Sequence, residues 1–349
     1  MTGTDLGRPV PVQGGAGDGG PPGPARGVRV RVPATSANLG SGFDTVGLAL
    51  TLYDEVVAWA TDDGRVQVDI TGEGALDLPR DAGHLVARHA RAAMAAVTGR
   101  PGEGPAAPGQ PGPGAGLPGV RLSCVNRLPQ SRGLGSSAAA VVAGVLAGLA
   151  LAGGDLRRDG LALQLAAAAE GHGDNVAACL LGGATLCWPD TPGGSSYHAL
   201  RLDVHPDIVP VVFVPADRLA TTQARAMLPA EVPHSDAVAQ AARAALLVEA
   251  LTRSPRLLMT ATEDWLHQRY RAAAMPASVQ LMHQLRAAGH AAVISGAGPA
   301  VLVLTTPPQA SRVAAAAPAG WRGLLLGVDQ LGATVESVPG ERPVHTAGS

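Results

Sequence analysis

The chain contains no lysine: all 26 of its basic residues are arginine. That excludes a lysine-dependent P-loop, a protein-kinase strand lysine and a Schiff-base amine. Any nucleotide handled here has to rest on backbone amides, hydroxyls, a metal ion or arginine. Aromatic residues are also scarce, at 3% of 349 residues, and the formal net charge is −2. Neither stacking platforms nor a positive field is present for nucleic acid or an anionic membrane. The three cysteines, Cys124, Cys179 and Cys187, build neither a close metal-binding pair nor a disulfide framework, which fits a reducing compartment. Residues 1–26 lack an apolar core flanked by positive charge, so no signal peptide is read and the cytoplasm is expected. The run Ala138–Gly154 carries no charge over 17 residues. It falls short of the ~20 needed to cross a bilayer, and reads as a helix buried in a soluble core.

What is present is organised around Pro129-Gln130-Ser131-Arg132-Gly133-Leu134-Gly135-Ser136-Ser137-Ala138-Ala139, which feeds that apolar run. A helix start left open in this way holds an anion, because its first N–H groups are unpaired and the dipole adds positive character. Gly133 and Gly135 permit positive φ and a close backbone approach. Ser136 and Ser137 serve equally as helix caps or as hydroxyls for phosphate or magnesium. Taken alone, the same residues also suit a capped, buried helix after a tight turn.

Residues 1–26 are mostly small, Gly or Pro, and are expected to be a disordered tail. Val28–Val32 alternates with period two and predicts a strand. A polar loop is expected over residues 33–44, followed by an apolar stretch from Val46 to Leu52. Further strands are expected at 66–70 and 120–125, and a helix at 82–97. Residues 99–119 hold eight Gly and six Pro, too many for a packed element, and read as a flexible surface insertion. A helix over 161–170 ends in Glu170-Gly171-His172-Gly173-Asp174-Asn175, a polar cluster beside very apolar sequence. Such groups need partners, whether a structural turn, a metal or a substrate.

Composition shifts near Pro206 and suggests a second α+β domain over 206–338, after an N-terminal domain over 27–205. Its expected strands are 209–214, 291–294, 301–304 and 324–328; its helices are 235–251, 256–270, 276–288 and 309–316. Ser295-Gly296-Ala297-Gly298-Pro299 forms a third small-residue loop. Residues 339–349 look loose.

The loops at 33–44, 129–139 and 295–299 resemble, in order and residues, the three signature motifs of the GHMP kinases. The resemblance implies an α+β fold of two domains, the first like ribosomal protein S5 domain 2 and the second ferredoxin-like, with ATP bound between them. That family's phosphate loop requires no lysine, and Pro129–Ala139 is its expected ATP cradle. Within the superfamily, Pro33–Leu39 with Gly42-Phe43-Asp44 and the Glu-Gly-His-x-Asp-Asn segment are most similar to the homoserine kinases. Two departures are Ser41 and Arg269, where many relatives carry proline.

By that resemblance the substrate is L-homoserine, with Asn38, Asp44, His172, Asn175, Thr221, Arg225, Arg271 and Gly296 around it. Arg225 and Arg271 would take its carboxylate through charge-assisted bonds. Asp44 would meet its ammonium, with Asn38 alongside, and Asn175 would orient its hydroxyl. Glu170, with Ser136 or Ser137, would hold Mg2+. The homoserine kinase pattern has no catalytic aspartate, and a loose phosphoryl-transfer transition state depends on positioning more than on a base. Two other readings stay open: a GHMP kinase for mevalonate or shikimate, and a catalytically silent binding protein of the same fold. A homodimer is left open as the assembly.

Overall fold

The computed structural model describes residues 12–13, 27–99, 117–156 and 160–338. The expected loose end at 339–349 lies outside the described residues, as do the tail 1–26 apart from Val12–Gln13 and the insertion apart from residues 99 and 117–119.

The first layer is an eight-stranded sheet. Its spine is the antiparallel pair Gly27–Asn38 and Gly42–Thr61, flanked by Gly119–Asn126 and then Val66–Gly72. The hairpin Ala184–Pro189 and Tyr197–Leu202 branches from the same long strand, its turn formed by residues 190–196, which are rich in Gly and Ser. Residues 33–44, expected to be a loop, are strand on either side of a short turn at 39–41. Ala34, Thr35, Ser36 and Ala37 are all buried. With both faces covered, the period-two signature that would mark them as strand is lost.

Helix Ser136–Leu151 lies in the core against the first sheet and against helix Leu85–Thr98. A Cβ on Gly148 would sit 2.1 Å from the Ala90 carbonyl oxygen, so the glycine permits the close helix contact. Among the described residues no helix is long and apolar enough to cross a membrane. Helix Leu161–Glu170 matches its expected span, and the polar cluster after it opens a further helix, Asp174–Leu181.

The second sheet runs Arg322–Leu325, Val209–Val214, Val301–Thr305, Ala291–Ile294, antiparallel throughout. In chain order, helices fall between Val209–Val214 and Ala291–Ile294 and between Val301–Thr305 and Arg322–Leu325, which is the ferredoxin-like β-α-β-β-α-β arrangement. Three expectations change here. The helix drawn over 256–270 is broken into Pro255–Leu257, Leu258–Ala261 and Gln268–Arg271. The Asp264 carboxylate accepts the N–H groups of Leu266, His267 and Gln268 at 3.0, 3.1 and 2.7 Å. That local bonding competes with helix continuation and starts a new turn. The strand placed at 324–328 is Arg322–Leu325. Finally, Thr334–Val338 returns to the first sheet and pairs with Gly27–Asn38, although it lies in the span read as the second domain.

Candidate active site

The loop before helix Ser136–Leu151 is held from two sides. Gly133 and Gly135 have φ of 74° and 67°. A Cβ on Gly135 would fall 2.0 Å from Thr35 Oγ1, and one on Gly133 would fall 2.2 Å from the Ser295 carbonyl oxygen. Both positions therefore require glycine by conformation and by space. Ser295 Oγ lies 2.6 Å from the Gly133 carbonyl oxygen, to which it donates, and 2.8 Å from Ser36 Oγ. The three loops singled out in the sequence thus meet at one place.

Helix Ser136–Leu151 has no side chain capping its start. Its first N–H groups face a cleft of about 120 Å³ whose walls include Gly135, Ser137, Glu170, Asn175, Thr221 and Gly296. A second cleft, of about 390 Å³, shares Ser131, Ser136 and Ser137 and extends between Asp54, Leu78 and Pro79. Arg132 is turned away from both. Its Nε and Nη2 donate to the carbonyls of Pro215 and Ala216 at 2.9 and 2.7 Å, and its Nη1 to that of Gln130 at 3.1 Å. Pro129, Leu134, Ala138 and Ala139 contribute backbone and buried packing rather than polar side chains.

Ser137 Oγ donates to Glu170 Oε1 at 2.6 Å, bringing a loop hydroxyl and a carboxylate to one point. These are hard oxygen donors of the kind magnesium prefers. Among the described residues no cluster of three or more His, Cys, Asp or Glu could hold a metal. The pair therefore suits an ion that takes most of its shell from phosphate and water.

Around the other wall, Asn38 Nδ2 donates to the Gly296 carbonyl at 2.9 Å while its Oδ1 accepts the Asp44 N–H at 2.9 Å. Asn38 and Asp44 both adopt left-handed backbone, with φ of 71° and 53°. Asp44 receives Arg225 through two bonds, at 3.0 and 2.8 Å. Thr221 lies one turn before Arg225 on helix Thr221–Ala226. The two groups expected to meet opposite ends of a zwitterion are thus paired with each other here.

Arg271 is 2% exposed. Its Nε donates to the Ala224 carbonyl at 3.1 Å, and its Nη1 lies 3.4 Å from His267 Nδ1. Its guanidinium sits 5.4 Å from the Phe43 ring centre. Burial lowers its pKa, and the Asp44 charge opposes that effect. His267 is fully buried, meets the Gly40 carbonyl through Nε2 at 2.9 Å and stacks on Phe43. Burial likewise lowers the His267 pKa, against the raising effect of Asp264. Composition and spacing gave His267 and Phe43 no role; Phe43 appeared only as part of Gly42-Phe43-Asp44.

His172 Nδ1 stands 3.2 Å from Asp174 Oδ1, close enough for an ion pair but off the line of a directed hydrogen bond. That carboxylate raises the imidazole pKa against the lowering effect of burial. Asp174 Oδ1 also accepts the Asn175 N–H at 2.7 Å. Asn175 Oδ1 accepts the Thr35 hydroxyl at 2.7 Å. The expected site residues therefore gather in one region, although the Arg132 and Gln130 side chains bond to carbonyls elsewhere and Leu134 and Arg271 are buried.

A two-domain α+β fold with an uncapped, lysine-free glycine loop at the meeting of three small-residue loops is the arrangement expected of a GHMP kinase. Residues 106–183 match the GHMP kinases N terminal domain family, and residues 236–323 match the GHMP kinases C terminal family. The chain is 52% identical over 318 residues to the homoserine kinase of Streptomyces avermitilis, covering 90% of this chain and 98% of that one. It is also 52% identical to the homoserine kinase of Streptomyces coelicolor, over 90% and 96% of the two chains. The crystal structure of homoserine kinase from Cytophaga hutchinsonii superposes with a TM-score of 0.73 at 27% identity, over 89% of this chain and 97% of that one. The chain belongs to the homoserine kinase family of the GHMP kinases.

Proposed function

We propose that the protein transfers the γ-phosphoryl group of ATP to the hydroxyl of L-homoserine, yielding O-phospho-L-homoserine for threonine biosynthesis. The observation that carries this reading is the grouping of one carboxylate, Asp44, with two arginines: Arg225 bonds it twice and Arg271 lies within its electrostatic reach. A substrate with an ammonium and a carboxylate can satisfy that set. Arg225 and Arg271 would bind the carboxylate, Asp44 the ammonium, and Asn175 would orient the hydroxyl. Thr221, His172, Asn38 and Gly296 complete the pocket. ATP would lay its phosphates on the Gly133–Ser137 backbone, with its nucleoside in the larger cleft beside Leu78 and Pro79.

Glu170 and Ser137, with Ser136 adjacent, would hold Mg2+. When bound, that ion would neutralise charge on the phosphates. No residue is assigned as general base. Asp174, the nearest spare carboxylate, is only 2% exposed and already faces the Asn175 N–H and His172. Catalysis by this chain then consists of alignment and electrostatic complementarity. The location we expect is the cytoplasm.

Mevalonate and shikimate carry a carboxylate but no amine: they could draw Arg225 from Asp44 without offering Asp44 an ammonium in return. The test is ADP release with Mg-ATP over a panel of homoserine, mevalonate, shikimate and 4-hydroxybutyrate. Turnover of homoserine alone is expected; preference for an amine-free alcohol would refute the substrate assignment, and no turnover with any would favour a silent binding protein.

A further inference from the structure

Thr35 lies in strand Gly27–Asn38, fully buried, and no substrate-facing role falls to it. A buried strand position favours valine over threonine unless the hydroxyl has work, because an unbonded hydroxyl in the core is costly. Here the hydroxyl donates to Asn175 Oδ1 at 2.7 Å. The backbone N–H of Thr35 donates to the Leu134 carbonyl at 3.1 Å, and its Oγ1 packs on Gly135. One residue therefore touches both the phosphate loop and the side chain assigned to the acceptor hydroxyl.

The orientation of the Asn175 amide follows from its two neighbours. Asp174 Oδ1 lies 3.4 Å from Asn175 Nδ2, and a carboxylate accepts rather than donates. The amide nitrogen belongs on the Asp174 side, so the carbonyl oxygen must face Thr35 and accept its proton. With Oδ1 occupied and one Nδ2 hydrogen directed at Asp174, the other remains as the donor available to the cleft.

We propose that Thr35 is a positioning residue for phosphoryl transfer: its hydroxyl fixes the Asn175 amide in one orientation and in register with the phosphate loop. This rests on the assignment of Asn175 to the acceptor hydroxyl. Binding of homoserine depends on groups elsewhere, and ATP affinity on the loop backbone, so the effect belongs in kcat rather than in either KM.

The test compares Thr35→Val, Thr35→Ser, Asn175→Ala and the Thr35→Val/Asn175→Ala double variant by steady-state kinetics and thermal melting. Thr35→Val is expected to lower kcat by roughly tenfold to a hundredfold, the scale of a displaced reacting group, with KM for ATP and the melting temperature little changed. Thr35→Ser, which keeps the hydroxyl, retains most of kcat, and Thr35→Val adds nothing on the Asn175→Ala background. If valine crowds Gly135 and prevents folding, Thr35→Ala repeats the measurement without the extra methyl group. Wild-type kcat in the valine or alanine variant would overturn the proposal. So would a serine variant as slow as valine, or independent losses in the double variant. If Asn175→Ala itself keeps full kcat, the assigned role of Asn175 fails first and the proposal falls with it; an impaired Asn175→Ala beside a silent Thr35→Val removes Thr35 alone.

Discussion

Arg225→Ala separates substrate recognition from architecture. The Arg225–Asp44 pair makes two bonds, at 2.8 and 3.0 Å, yet each side chain is more than a third exposed. Solvent screening at that exposure limits the pair's contribution to stability to about 0–1 kcal/mol, so the melting temperature should move little. Binding is another matter. A hydrogen bond to a charged group contributes ~1.5–3 kcal/mol, and every ~1.4 kcal/mol is a factor of ten. Loss of Arg225 should therefore raise KM for homoserine by about tenfold to a little over a hundredfold while KM for ATP holds. Initial rates with each substrate varied at saturation of the other read both constants. Arg225→Lys should recover only part of the loss, since a point charge does not reproduce a two-bond fork. An equal rise in KM for ATP, or an unchanged KM for homoserine, would refute the assignment.

Asp44→Asn should erase the preference for homoserine over 4-hydroxybutyrate, measured as the ratio of kcat/KM values, because only the former offers an ammonium. Glu170→Gln should shift the Mg2+ dependence of the rate to higher concentration, and chelation by EDTA should stop turnover of the wild type; a variant with unchanged Mg2+ dependence would remove Glu170 from the metal site. Gly135→Ala, forced into a left-handed conformation against Thr35 Oγ1, should lose nucleotide binding in a titration with a fluorescent ATP analogue. His267 supplies the pH test. Its pKa is lowered in the fold, where Asp264, Arg271, Asp44 and the Gly40 carbonyl surround it, while the unfolded value is about 6.5. Below about 6.5 the unfolded chain takes up a proton that the folded chain refuses, so stability falls as pH drops toward the lowered value and is unaffected above. Urea midpoints between pH 5 and 8, scales set by that window, should show a shallower acid loss in His267→Gln than in wild type.

The parts of the fold that were legible in sequence are those where one physical rule acted alone. Val209–Val214 and Ala291–Ile294 are short apolar runs bounded by turn residues, and they are strands at those limits. The helix Leu161–Glu170 has Gly on both sides and no internal breaker. Where two rules competed, the pattern misled. Small residues at 34–37 look like a loop until both faces of the strand are seen to be covered. The apolar spacing over 256–270 suits a helix, but the Asp264 carboxylate captures three backbone donors and breaks it. Thr334–Val338 was illegible for another reason: a strand that closes a sheet begun some 300 residues earlier carries no local mark of its partner. The candidate site was legible mainly through the resemblance to the GHMP kinases, with the Glu170–Asn175 cluster and the glycine loop before helix Ser136–Leu151 the parts that residue pattern alone singled out. Its supporting residues were not, since Thr35 and His267 act through geometry that spacing does not encode.

The missing lysine takes on a further meaning once Arg132 is located. With no lysine in the chain, this arginine is the one basic side chain in the phosphate loop itself, and composition alone would aim it at the nucleotide. It bonds instead to the carbonyls of Pro215 and Ala216, just past a strand of the second sheet. Ser131 accepts the Leu219 N–H at 2.9 Å in the same region. Gly133 is covered by Ser295 from the loop that follows another strand of that sheet. The phosphate loop is therefore tied at three successive points to the domain that carries Thr221, Arg225 and Arg271. A basic side chain that could have met phosphate instead ties the two domains together, and under the proposed function the anion would rest on backbone dipoles and hydroxyls. Such a loop gains selectivity for geometry rather than for charge, which is what a reaction governed by alignment requires.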